Sequence, residues 1–441
     1  MLRNCHRFIL KNNAFPSIVQ RNTFLTNDYQ CTEAWNNLNS KAIINKINVQ
    51  DFYNAVDQNH ALKGVVSAID VDIFAHAIKD SSHIEELKDL LHKLRLSAET
   101  GNMLESTQHA TIRKYLQFGD ITELVGILRD PLNFGVFLDD YSANILLNKL
   151  ITSSDFDLAA RVASLIMLQE EYSNEITCTL CQYACYKYIL SYTPEPSPPP
   201  PPSEKNKKVE EIKIRVKYLR NPYFDDHFDI KDNFTLSGKT LAWMSERASN
   251  NLNNNLQIIG WLIYKKYDKL VSLCESLSNT KTFKIYKEVL EQLQKETANA
   301  DAESKPVLEN CYSVLSKVNH KADNTLEESI KIAIENAINK LQKYDIEQQE
   351  KLFKSWAQIR EEKLEEQTKR LDRARRIQLI EEKQKVMKEQ EQKLWFFENE
   401  DQIDLQIEEK EQLVDKTVEK KKNTKSVDEN YIPPEILPKR K

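Results

Sequence analysis

The chain has 441 residues, enough for two or three domains with real cores. Charged residues make up 29% yet nearly cancel to a net charge of −5, so composition advertises no nucleic-acid binding and any RNA contact must be made by local patches. Seven glycines and seven cysteines are too few for Gly-rich nucleotide loops or a disulfide framework, and no apolar run approaches the roughly 18 residues of a membrane span.

From Met1 to Asn27 there is no acidic residue, while Arg3, Arg7, Lys11 and Arg21 are interleaved with Leu2, Phe8, Ile9, Leu10, Phe15 and Phe24. A basic, acid-free, amphipathic start suits mitochondrial import, so residues 1–28 are expected to be a transit peptide. Helical spacing follows, with Trp35 and Leu38, then Phe52, Tyr53 and Val56.

The stretch from Ser106 to Leu190 organises the chain. Tyr115 to Leu128 aligns with Leu150 to Ala163 at a shift of 35 residues: Leu116 falls on Ile151, Asp120 on Asp155 and Ile127 on Val162. Each copy has an apolar helical run, a polar break and a second run, with Asp120 and Asp155 placed to cap the second helix. Ile73 to Ile78, a break at Lys79 to Ser82, and Ile84 to Leu94 form an earlier copy; Ile176 to Ile189 opens a later one. A hairpin of helices cannot cover its own apolar face, so recurrence near this period predicts a solenoid over residues 29–190.

Pro194 to Pro202 is an extended polyproline spacer, and 191–210 is expected to be a linker. Ile212, Ile214, Val216 and Tyr218 alternate with Lys213, Arg215 and Lys217, the clearest strand signal, with one basic face. Helical spacing resumes after Phe234 and predicts a second helical stack within 211–324, where Pro306 suits a first helical turn with Ser304 as its cap.

From Thr325 to Phe397 there is neither Gly nor Pro. Seven pairs place Glu four residues before Lys or Arg, among them Glu327–Lys331 and Glu365–Lys369, together worth roughly 1–3 kcal/mol of helix support. One long charged helix is expected over 325–400, solvated because its apolar residues from Leu364 to Leu394 are too irregular for a heptad seam. Residues 401–441 read as a flexible tail.

Four strings carry a resemblance: Gln108 to Leu116, Asp130 to Asp139, Val216 to Asp229 (with Asn-Pro-Tyr-Phe-Asp-Asp-His-Phe-Asp) and Lys393 to Asn399. With the helix period, they resemble the pentatricopeptide-repeat proteins of the animal mitochondrial small ribosomal subunit, over roughly Tyr29 to Leu413. The resemblance implies an all-α, helical-hairpin (pentatricopeptide-like) solenoid with a long charged C-terminal helix. It also implies a structural role in the mitochondrial matrix, contacting small-subunit rRNA and neighbouring ribosomal proteins in support of mitochondrial translation. Base-reading members of the repeat family carry a polar residue near the middle of each first helix. Here that place falls on Ala110, Ile145 and Leu180, which cannot hydrogen-bond a base edge, so phosphate and shape recognition is expected.

Lys213, Arg215, Lys217 and Arg220 are candidate phosphate contacts, as are Lys369, Arg370, Arg373, Arg375 and Arg376, five basic residues within eight positions. Three constellations read as structure. Cys178, Cys181 and Cys185 share a helix face and pack as small apolar residues. Asp225, Asp226, His227 and Asp229 suit a turn. Ser237-Gly-Lys-Thr240 mimics a phosphate loop but has Asn233 where the motif needs Gly. No nucleophile–base pair, metal cage or cofactor loop assembles, so no catalysis, metal or cofactor is expected, nor a membrane or homo-oligomer. The alternative is a free pentatricopeptide-repeat factor for organellar RNA processing or stability; a coiled-coil scaffold without RNA is a third reading.

Overall fold

The computed structural model describes residues 23–193, 230, 232–280, 283–317, 322 and 324–423. These form seventeen α-helices and no strand, an all-helical repeat architecture as expected. The alternating stretch 212–218, the acidic string 225–229 and residues 1–22 lie outside the described residues. The chain divides into one compact unit ending at Glu361 and another starting at Glu362.

The first unit opens with α1 (Thr32–Asn39), α2 (Ala42–Asn45) and α3 (Val49–Lys63). The hairpins follow: α4 (Ala68–Ala77) with α5 (Ile84–Leu96), α6 (Glu105–Phe118) with α7 (Ile121–Leu128), and α8 (Asp140–Ser153) with α9 (Phe156–Leu168). Next, α10 (Glu175–Ser191) packs on α11 (Asn233–Glu246), so the copy interrupted by the proline run is completed beyond it. Two more pairs are α12 (Asn251–Ile263) with α13 (Tyr267–Ser278) and α14 (Lys287–Asn299) with α15 (Lys305–Ser316). The first helices α4, α6, α8 and α10 touch in succession, as do the second helices α7, α9 and α11. Each hairpin thus covers its neighbour's apolar face, the arrangement that makes a repeat stack stable.

Local chemistry sets the breaks between helices. The Asp120 side chain caps α7 by accepting from the Thr122 amide at 3.2 Å. Asp155 occupies the equivalent place before α9 but does not cap; its carboxylate accepts from the Ser153 hydroxyl at 2.7 Å instead. Ser304 likewise precedes α15 without a side-chain cap, with Pro306 in the first turn. Ser237 to Thr240 lie inside α11, where Gly238 has a packing role. A Cβ there would lie 2.7 Å from Ile263, and one at Gly260 would lie 2.5 Å from the Ala242 amide nitrogen. The two glycines let α11 and α12 approach at backbone distance. Cys178, Cys181 and Cys185 are fully buried in α10, and burial raises their thiol pKa values.

The long helix α16 (Leu326–Glu398) is unbroken, as its composition predicts, but its stretch up to Glu361 is not a solvated arm. Leu326, Ile330, Ile334, Ala337 and Ile338, then Gln349, Phe353, Trp356, Ala357 and Arg360, are buried at helical spacing. That stripe lies on the row of first helices and runs back along it. The Leu326 amide donates to Glu288 of α14 at 3.1 Å, Lys340 pairs with Glu175 of α10 at 3.0 Å, and Arg360 pairs with Asp72 of α4 at 2.6 Å.

The second unit is the remainder of α16 with α17 (Glu400–Asn423). Trp395 and Phe397 are 58% and 72% exposed there, an apolar knob without cover in its own unit. No helix among the described residues is long and apolar enough to cross a membrane.

Candidate nucleic-acid interface

The inner face of a hairpin stack, made by its first helices, is where a ligand strand would be read residue by residue. Ala110 and Leu180 are fully buried and Ile145 is half-buried. The reason is α16. Its Phe353 and Trp356 rings pack 5.5 and 5.2 Å from the His109 ring, beside Ala110, and Phe353 lies 5.7 Å from Trp35. The chain's own helix covers the face around Ala110, which is sterically closed to a base.

The helix is locked there by a buried ionic cluster. Asp72 is fully buried and accepts from Ser106 Oγ at 2.5 Å, Thr107 Oγ1 at 2.9 Å and Arg360 Nε at 2.6 Å. His76 Nδ1 lies 2.8 Å from the Asp72 carbonyl oxygen, one turn back on α4, and so carries the proton. That leaves Nε2 to accept from Arg360 Nη2 at 2.9 Å. Burial pushes the His76 pKa down to about 4, so the imidazole is neutral at pH 7. Burial also pushes the Asp72 carboxyl up, but its interactions with His76 and Arg360 and the hydrogen bond from Ser106 more than reverse this, holding it below the usual carboxylate value. With His76 neutral, Arg360 is the cation that keeps Asp72 ionised at pH 7.

The basic group of the second unit is solvent-facing. Lys369, Arg370, Arg373, Arg375 and Arg376 are all exposed. Lys369 is held by Glu365 at 3.3 Å, whereas the four arginines form no ion pair among the described residues. Of the seven Glu-before-Lys/Arg pairs in the sequence, only Glu327–Lys331 (2.9 Å) and Glu365–Lys369 are closed. The arginine charge is therefore not spent on helix-surface pairing. Lys213, Arg215, Lys217 and Arg220 lie outside the described residues.

Sequence reasoning missed Arg360 and Asp72. The buried spacing of Phe353, Trp356 and Arg360 was legible as one helix face, but the partner lies 288 positions away and no local pattern names it. It also missed Arg113, whose guanidinium sits 4.9 Å from the Trp35 ring centre and 5.7 Å from that of Phe353.

The geometry is thus a hairpin stack with an internal helix lying on its first-helix face, and four exposed arginines on the charged helix beyond Glu361. The family model described as mitochondrial 28S ribosomal protein S27 matches residues 1–386, most of the chain. The chain belongs to that family and is a protein of the mitochondrial small ribosomal subunit.

Proposed function

We propose that the chain is a non-catalytic structural component of the mitochondrial small subunit in the matrix, binding rRNA phosphates and neighbouring ribosomal proteins and so supporting organellar translation. In this reading an import leader lies within residues 1–28, and the repeat stack is a protein-facing scaffold whose inner face is covered around Ala110 by α16. The rRNA contact is assigned to Arg370, Arg373, Arg375 and Arg376 with Lys369, joined by Lys213, Arg215, Lys217 and Arg220. One observation carries it: the four arginines are exposed and unpaired on a helix rich in glutamate, where surface ion pairs would otherwise absorb them.

The test is RNA affinity of the full chain as a function of salt. Each phosphate contact adds about 0.7 to 0.9 to the slope of log affinity against log salt. Replacing the four arginines by glutamine is expected to flatten that slope by roughly 3 and to shift the chain off the small subunit in a density gradient. An unchanged slope removes the site assignment. A wild-type chain that sediments away from ribosomes points instead to a free RNA factor.

A further inference from the structure

The apolar run that closes α16 has no part in the arginine site. Leu394, Trp395, Phe396 and Phe397 are consecutive, and Leu394, Trp395 and Phe397 are 70%, 58% and 72% exposed. With 3.6 residues to the turn, four consecutive side chains sweep about 300° of the helix circumference. They therefore share no single stripe, and a flat groove cannot cover them together; a concave socket can. The Phe396 and Phe397 rings meet edge to face with centres 6.1 Å apart. Asn399 sets where the run stands, between α16 and α17. Its Nδ2 donates to the Trp395 carbonyl at 3.1 Å, and its amide donates to the Trp395 and Phe396 carbonyls at 3.2 Å. The helix ends there, so the rings stand in its last turn, where a socket can receive them.

The charge beyond the run has one sign. From Glu398 to Glu411 seven carboxylates stand against one cation, Lys410, and all are exposed. None of the seven forms an ion pair among the described residues. The second unit thus segregates its charge, with cations at 369–376 and carboxylates from 398 onward. Aromatic rings can stack on bases, but these carboxylates repel RNA phosphate and anionic lipid alike. They attract a protein surface that carries Lys and Arg. Aromatic side chains bury roughly 150–250 Å² each, so three rings suffice for the centre of a standard interface of about 800 Å² per partner. Aromatic residues are also the class that anchors such centres.

From this we infer that Leu394 to Phe397 plugs into a neighbouring protein of the small subunit, in an apolar socket rimmed by Lys and Arg that pair with Glu398, Glu400 and Asp401. The inference rests on the reading that the chain meets neighbouring ribosomal proteins. It adds the surface used and the chemistry of the partner, separate from the arginines assigned to rRNA.

The experiment titrates the fluorescein-labelled full chain onto mitochondrial small subunits prepared from cells that lack it. Trp395→Ala and Phe397→Ala are each expected to weaken binding about thirtyfold, the loss typical of an interface anchor. Neither removes a charge, so the salt dependence should stay that of the wild type. Trp395→Phe keeps a ring and should bind within about threefold of wild type, which separates the contact from folding. The triple variant Glu398→Gln/Glu400→Gln/Asp401→Asn is expected to bind more weakly at low salt and to converge on wild type as salt screens the rim. With p-benzoylphenylalanine at position 395, cross-links are expected in a small-subunit protein, at a peptide combining apolar residues with Lys or Arg. Wild-type affinity in both alanine variants overturns the inference. So do cross-links confined to rRNA, to a second copy or to residues 23–361 of the chain itself. Tighter binding by the triple variant, the sign expected beside phosphate, overturns it as well. If only the four-arginine variant loses binding, the socket falls and the arginine site stands; if only the alanine variants do, the reverse holds. A wild-type chain that does not bind the subunits removes both.

Discussion

The lock between Arg360 and Asp72 is the sharpest test of how this chain closes its own inner face. Arg360→Met keeps the stem volume and removes the cation. Asp72, fully buried, then retains only the Ser106 and Thr107 hydroxyls, because His76 is neutral at pH 7 and its Nδ1 proton is held by a backbone carbonyl. Removing one partner of a buried ion pair costs roughly 3–5 kcal/mol. The cost should fall on the docking of residues 349–360, where Phe353 and Trp356 pack against Trp35 and His109. Amide hydrogen exchange reads it directly: a local loss of about 3 kcal/mol accelerates exchange by roughly two powers of ten. The double variant Asp72→Asn/Arg360→Met removes both charges and should recover at least about 2 kcal/mol relative to the sum of the single losses. Unchanged protection in Arg360→Met, or a double variant as damaged as that sum, would refute the claim that this pair holds the helix.

Three further outcomes follow from the same structure. The depressed pKa of His76 means the unfolded chain binds a proton between its ordinary value of 6.5 and about 4 that the folded chain refuses, so this stability is complete above pH 6.5 and is lost as pH falls. About 2 kcal/mol should be gone by pH 5, and His76→Gln should remove that part of the slope in thermal unfolding followed against pH. Gly260→Ala should destabilise by roughly 1–3 kcal/mol or more in urea unfolding, since its Cβ would meet the Ala242 amide nitrogen at 2.5 Å and the α11 backbone must shift. The six described cysteines are all buried, so they should resist maleimide in the native chain and react after denaturation; native labelling of Cys181 would contradict the packing of α10.

Local chemistry was enough for the hairpins. The 35-residue recurrence, the polar breaks and Asp120 placed before Ile121 define helices that end where they do because capping and turn preferences act over three or four residues. The break at Asp130-Pro131 likewise follows from the proline ring alone. Composition also sufficed for α16 as a helix, since glutamate, lysine and leucine without glycine or proline leave the backbone no better choice. The charged composition averages over the whole helix, however, and hides the buried stripe from Leu326 to Arg360 within an otherwise solvated sequence.

Where that stripe lies was decided only by tertiary structure. Asp72 and Arg360 are 288 positions apart, and Arg113 meets Phe353 across a similar span. A charged residue in a helix reads as surface until a specific opposite charge shares its burial, and no periodicity carries that information. The same holds for an open cleft in the first unit: Arg113, Lys149 and Asn36 are each ordinary polar helix residues, and they converge because one segment of chain is pinned across two repeats. Periodic sequence determines which face of each helix is apolar; long-range packing determines what covers that face and what is left open for a partner.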